Sequence, residues 1–379
     1  MKAAPPDTEI PYDGSESQYM LDLVSCLADS AICPVWQSPA RNINGHSRGR
    51  RVSTERSSAP CPTYSSSASR SGSCNQSTFG HEASKALNRS FSPYTINLWG
   101  TFIITSVVYW IGGLIFMAFD LYEPLHNVLK PYKLQPDKRV SVADYKKVCW
   151  IVLRNQVLVA LPMTWAMATY RPLSTTAPLP GAFETIYTYI FCTLCMEAGF
   201  FYVHRLFHHP KLYKHVHKLH HRESVGLMVQ ESVSHCGTEF TAPVALSSTY
   251  CTLPEHLFSN LLPIVLGIMI LGAHWSLMIM FFCSLELGTL NTHSGYNFVG
   301  GFSALQHDWH HYAYTENFGP TGILDKIYGT NTAFTSWIEE LTRRESGQTG
   351  SSKGDVVSQA RKELARKEDA GETFVSSVL

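Results

Sequence analysis

The stretch WGTFIITSVVYWIGGLIFMAF, Trp99 to Phe119, carries no charged side chain. As a helix it is long enough to cross the hydrocarbon core of a bilayer, which takes about 20 apolar residues. Working outward, three further apolar segments follow. Val148 to Ala168 is interrupted by Arg154, Asn155 and Gln156, which predicts a weaker span that turns its polar face toward neighbouring helices. Phe183 to Val203 contains Glu184 and Glu197 and runs directly into His204. Leu257 to Leu290 contains Pro263, Gly267 and Gly272 and is too long for one crossing, which predicts a hairpin of two shorter helices. A hairpin returns the chain to the side it left, so the residues flanking it share one membrane face. The expected fold is an all-α integral membrane protein with about four transmembrane or half-spanning helices under a helical cytosolic cap. Six Lys or Arg residues between Lys130 and Lys147 favour a cytosolic location for that loop.

Fourteen of the 17 histidines lie between His204 and His311. Eight of them form three clusters: His204 with His208, His217 with His220 and His221, and His307 with His310 and His311. Residues three or four apart share a helix face, so each cluster can aim its imidazoles at one point. His293, at the far end of the hairpin, is placed to add a ninth. Neutral imidazole is a common nitrogen ligand of transition metals, and nine such donors exceed the four that satisfy one zinc. Two metals sharing the set is the economical reading, and a ferrous pair would let dioxygen attack an unactivated C–H bond. His209 and His215 lie off the shared faces. His235, His256 and His274 have no partner at ligand spacing.

The remaining composition narrows the class. The 379 residues have zero formal net charge and no long basic block, which gives no support to nucleic-acid binding. Ten scattered cysteines suit a reducing compartment, and Cys192 and Cys195, inside an apolar run, read as packing residues. Residues 1–92 are polar and partly Ser-rich and read as a disordered N-terminal region without a secretory signal. Residues 93–336 form the membrane domain, and 337–379 read as a polar, charged C-terminal tail with a short helix.

Between about Trp99 and Phe334 the chain resembles the fatty acid hydroxylase and sterol desaturase superfamily, and in particular its C4-sterol methyl oxidase-like branch. Besides the histidine clusters, the resemblance rests on Leu134-Gln-Pro-Asp-Lys138, Phe201-Tyr-Val-His204, Leu212-Tyr-Lys-His215, Glu239-Phe-Thr-Ala-Pro243, Glu255-His-Leu-Phe258, Thr292-His-Ser-Gly-Tyr296 and Gly322-Ile-Leu-Asp325. It implies a helical fold in the endoplasmic-reticulum membrane, two irons, dioxygen, and electrons from NAD(P)H through cytochrome b5 and its reductase. The implied catalytic and metal-holding set is His204, His208, His217, His220, His221, His293, His307, His310 and His311.

Three departures stand out. Asn297 occupies the place of a second His after Tyr296 in many relatives and is a possible ligand. Thr252 replaces another His. Residues 222–238 intervene between His221 and the Glu239 motif, as a retained intron or alternative splice product would, or as a tolerated surface loop, which costs little entropy. The expected activity is hydroxylation of a sterol or related lipid. Alternatives are desaturation by the same centre, or an inactive or non-catalytic metal-binding membrane protein. Glu197, seven residues before His204, is a candidate partner for a metal ligand. Asp308 and Glu316 are candidates for orienting a ring or relaying a proton.

Overall fold

The computed structural model describes residues 73–136, 138–221, 243–298, 303–346 and 353–369. They lie in one compact unit, Arg70–Leu379; the unit Met1–Ser69 and the intervening residues 222–238 fall outside the described residues. Among the described residues every regular element is helical, apart from an isolated bridge between Lys133 and Tyr296. The helices are α1 (Ser73–Ser90), α2 (Pro93–Leu121), α3 (Glu123–Leu129), α4 (Val142–Tyr170), α5 (Ala182–Phe207), α6 (Pro210–Val216), α7 (Lys218–His221), α8 (Leu253–Leu271), α9 (Trp275–His293), α10 (Ser303–Ala313), α11 (Ile323–Tyr328), α12 (Thr332–Ser346) and α13 (Lys353–Asp369). Four of them, α2, α4, α5 and α8, are long and apolar enough to cross a membrane.

The sequence pattern explains how these spans pack. On α2, Ile103, Ile111 and Leu114 remain about half exposed, the condition expected of a surface whose solvent is lipid rather than water. The polar residues that interrupt α4 turn inward. Asn155 Nδ2 donates to the carbonyls of Thr249 and Cys251, Arg154 donates to the Cys251 carbonyl, and Gln156 Oε1 accepts from Trp110 Nε1. Without water these groups must find partners in the protein. Helices α5 and α8 approach closely, and a Cβ added to Gly267 would lie 2.7 Å from Cys192 Cα. Cys192 is therefore part of a tight helix contact, in keeping with its packing role. The expected hairpin forms as α8 and α9. Gly272, at φ 59°, ends α8 in the left-handed conformation that glycine adopts without steric cost.

Both ends of the described chain carry elements beyond the sequence pattern. Within the N-terminal region expected to be disordered, Ser73–Ser90 is helical, and Asn88 Nδ2 anchors it by donating to the Thr175 carbonyl at 2.8 Å. The C-terminal segment expected to be solvated joins the cap. Trp337 stacks on Trp309 with ring centroids 4.7 Å apart, while Leu341, Val356, Ala360 and Leu364 are buried. The apolar positions of α13 recur every four residues among charged neighbours, and that spacing gathers them onto one helix face.

Below the cap, a buried polar knot fixes the chain that leaves α9. Asp120, at the end of α2, pairs with Lys133 and accepts from Tyr145 Oη at 2.6 Å and Tyr296 Oη at 2.9 Å. Backbone bonds from Leu134 N to the Gly295 carbonyl and from Asn297 N to the Tyr132 carbonyl reinforce it. A buried ion pair is tolerable when further hydrogen bonds satisfy it, and the two tyrosines supply them.

Candidate metal centre

All three histidine clusters and His293 converge on one region. The end of α5 supplies His204 and His208, the junction between α6 and α7 supplies His217, α7 supplies His220 and His221, α9 ends on His293, and α10 carries His307, His310 and His311. Two groups result. Ligand-capable atoms of His204, His208, His217, His221 and His310 lie within 4.8 Å of one another, as do those of His220, His293 and His307. His311 belongs to neither group and sits between them, its Nε2 2.9 Å from His307 Nε2 and its ring centred 4.5 Å from that of His221.

Backbone and carboxylate oxygens set the orientation of several rings. His204 Nδ1 donates to the Phe318 carbonyl at 2.7 Å, His310 Nδ1 to the Glu316 carbonyl at 2.6 Å, His293 Nδ1 to the Thr289 carbonyl at 2.8 Å and His217 Nδ1 to Glu255 Oε1 at 2.7 Å. A carbonyl or carboxylate oxygen can only accept, so Nδ1 carries the proton and Nε2 turns a lone pair inward. His204 Nε2 then lies 3.0 Å from His217 Nε2, and His221 Nε2 lies 3.1 Å from His217 Nε2 and 3.2 Å from His208 Nε2.

That arrangement fits metal ions. Nε2 of His293 and His310, and Nδ1 of His220, His221 and His311, are buried without a hydrogen-bond partner. Orphaned buried polar atoms are costly, and so many in one pocket require either a ligand or a large penalty. Burial, followed by the neighbouring imidazoles, holds His208, His217, His220, His221, His307 and His311 well below the usual histidine range. These rings are therefore neutral, the form that coordinates a cation.

The pattern of the family described as fatty acid hydroxylase matches residues 189–330, which contain all nine histidines. A human fatty acid hydroxylase domain-containing protein 2 is 30% identical over 241 residues, covering 62% of this chain and 67% of the relative. The chain belongs to the fatty acid hydroxylase family. This fatty acid hydroxylase homologue is also 38% identical over 255 residues to fatty acid hydroxylase ahd1 of Mycosarcoma maydis, covering 66% of this chain and 62% of that protein. It thus spans less than two thirds of that relative's length. Rat methylsterol monooxygenase 1 is 23% identical over 267 residues, covering 67% of this chain and 84% of the relative. No solved structure matches it.

Several candidates of the family member take roles other than those expected. Glu197 is buried but touches no histidine, and it accepts instead from Thr321 N and Leu324 N, both at 2.9 Å. It caps the start of α11 and so holds the loop whose Phe318 carbonyl orients His204. Glu316 is likewise not a solvated acid. Its carboxylate accepts from Trp309 Nε1, Ala333 N and Phe334 N, capping α12, while its own carbonyl holds His310. Asp308 is buried, and burial pushes its carboxyl up to about 7.

Asn297 donates its backbone N–H to the Tyr132 carbonyl, and its Nδ2 is buried without a partner. Thr252 caps α8 and donates to the Val216 carbonyl at 2.8 Å, bracing the turn that presents His217. Glu255 was visible in sequence only as part of a motif. Its bond to His217 depends on two segments 38 residues apart, which no helical spacing reveals. His209 caps α6, His215 is exposed, and His256 and His274 are buried away from both groups.

Proposed function

We propose that this fatty acid hydroxylase homologue is a membrane-bound, O2-dependent di-iron hydroxylase acting on a sterol or a related lipid. The observation that carries the proposal is the pair of adjacent, buried to half-buried, all-nitrogen histidine groups, the first of which takes His204 and His208 from the end of the membrane-capable α5. His204, His208, His217, His221 and His310 would hold one iron; His220, His293 and His307 would hold the other, with His311 between them. The irons would supply the electron transfer to dioxygen that oxidising an unactivated C–H bond requires.

The protein's own contribution is positioning. Phe318, Glu316 and Thr289 carbonyls and the Glu255 carboxylate fix which nitrogen of each ring faces inward. Such outer partners raise ligand basicity and lock ring orientation. The apolar spans support lateral entry of an apolar substrate from lipid. The sterol preference rests on the motif resemblance and is supported by the similarity to rat methylsterol monooxygenase 1. An endoplasmic-reticulum location and a separate cytochrome b5 with its reductase as electron donor complete the reading.

The test is elemental mass spectrometry of detergent-purified protein expressed with iron, followed by lipid turnover with a cytochrome b5 system. About two irons per chain and O2-dependent formation of an alcohol support the reading. An alkene product would indicate desaturation. A folded protein that binds no iron would overturn the di-iron assignment.

A further inference from the structure

Away from the histidines, a cleft of about 690 Å³ opens between α13 and the linker that joins α2 to α4. Ser358, Arg361, Lys362, Ala365 and Arg366 form its α13 wall. These positions follow an i, i+3, i+4, i+7, i+8 pattern and therefore occupy one helix face. The opposite face of α13 is the buried one that packs into the cap. Lys130 and Lys133 stand on the other wall, and among the described residues that line the cleft there is no Asp or Glu. Lys133 is neutralised by Asp120, so the cationic character comes chiefly from α13. Arg361 Nε is buried without a hydrogen-bond partner, and burial lowers the pKa of that guanidinium. A strongly solvated cation is not left in that state without cost.

The position of the cleft limits its occupant. Its linker wall belongs to the 20 residues between the end of one membrane-capable helix at Leu121 and the start of the next at Val142. Both ends of that wall are tied to the membrane, which keeps the cleft within reach of lipid headgroups. Arg361 to Arg366 spans only about 7.5 Å along a helix. That matches a single phosphate better than a protein surface, for which a stable interface takes about 800 Å² from each partner.

We infer that this cleft binds the phosphate of an anionic phospholipid headgroup, with Arg361, Lys362 and Arg366 as its cationic contacts. Occupancy would brace α13, and through α13 the α10 helix that carries His307, His310 and His311. Basic pockets beside membrane helices are suited to such ligands because attraction to an anionic surface is strong within a Debye length.

The experiment is thermal unfolding of the full chain in detergent, titrated separately with dioctanoyl phosphatidic acid, dioctanoylglycerol, inorganic phosphate and polyglutamate. Phosphatidic acid should raise the midpoint by roughly 2–4 °C, the shift expected from saturable binding to the native state. The shift should vanish in Arg361→Gln/Lys362→Gln/Arg366→Gln and persist in the control Lys85→Gln/Arg89→Gln. If the triple variant does not fold, Lys362→Gln/Arg366→Gln removes two exposed cations and should reduce the shift by about half. An equal shift with dioctanoylglycerol would mean apolar binding. An equal shift with inorganic phosphate would make the site one for a free anion, and a shift with polyglutamate alone would point to an acidic protein. Each of these results, or an unchanged response in the variants, overturns the inference.

Discussion

The two histidine groups are built differently. In the first, His204, His217 and His310 are oriented by oxygens from other elements: the Phe318 carbonyl, Glu255 and the Glu316 carbonyl. In the second, His293 is oriented by Thr289 one turn back on its own helix, and His220 Nδ1 has no partner. The first group brings together five imidazoles and the second three. A site with more ligands and more fixed rings holds its ion more tightly, whereas one with fewer ligands keeps positions open, as catalytic metal sites do. On the proposed di-iron reading, the first group would chiefly retain its ion and the second would hold the more accessible one.

The largest expected effect comes from removing a shared contact in the first group. His217→Ala deletes a ring whose Nε2 faces both His204 and His221, so iron should fall well below about one per chain and turnover should be lost. His307→Ala should instead remove only the second iron, leaving about one per chain. If both variants lose the same amount, the two groups behave as one site and the comparison fails.

Next in size is Glu255→Ala, which leaves His217 Nδ1 unpaired and should weaken iron binding by roughly 10–100-fold in a chelator competition. Glu255→Gln retains an acceptor oxygen and should recover part of that loss. Equal damage in both would show that the charge, rather than the ring orientation, is what matters.

Glu197→Ala tests support one step further out. It removes the acceptor of Thr321 N and Leu324 N, both partly buried bonds, costing about 1 kcal/mol of stability for each. A lower thermal midpoint with iron still bound is expected, because Glu197 contacts no histidine. The smallest effect is expected of Asn297→Ala, which should leave iron content unchanged, since three imidazoles make up the second group without it. Loss of one iron in that variant would add Asn297 to the second group.

Much of the fold could be read from residue order. The uncharged run Trp99 to Phe119, the hairpin marked by Gly272 and the inward polar face around Asn155 depend on local pattern and on the cost of unpaired polar groups in lipid. The three histidine clusters were legible for the same reason, since helical spacing alone puts each set on one face. The helix at Ser73–Ser90 and the buried face of α13 were missed. Their sequences are polar on average, and only contacts to Thr175 and to the α10 and α12 helices stabilise them.

The sequence by itself determined that this is a helical membrane protein with nine histidines as candidate metal ligands. Only the tertiary structure decided how those histidines divide into groups of five and three, with His311 between. It also decided that Glu197 and Glu316 cap helices while Glu255 and two carbonyls orient the rings. The reason is physical. Helical periodicity acts over three or four residues, whereas the oxygen that orients His204 lies 114 residues away and reaches it only when the folded chain closes on itself.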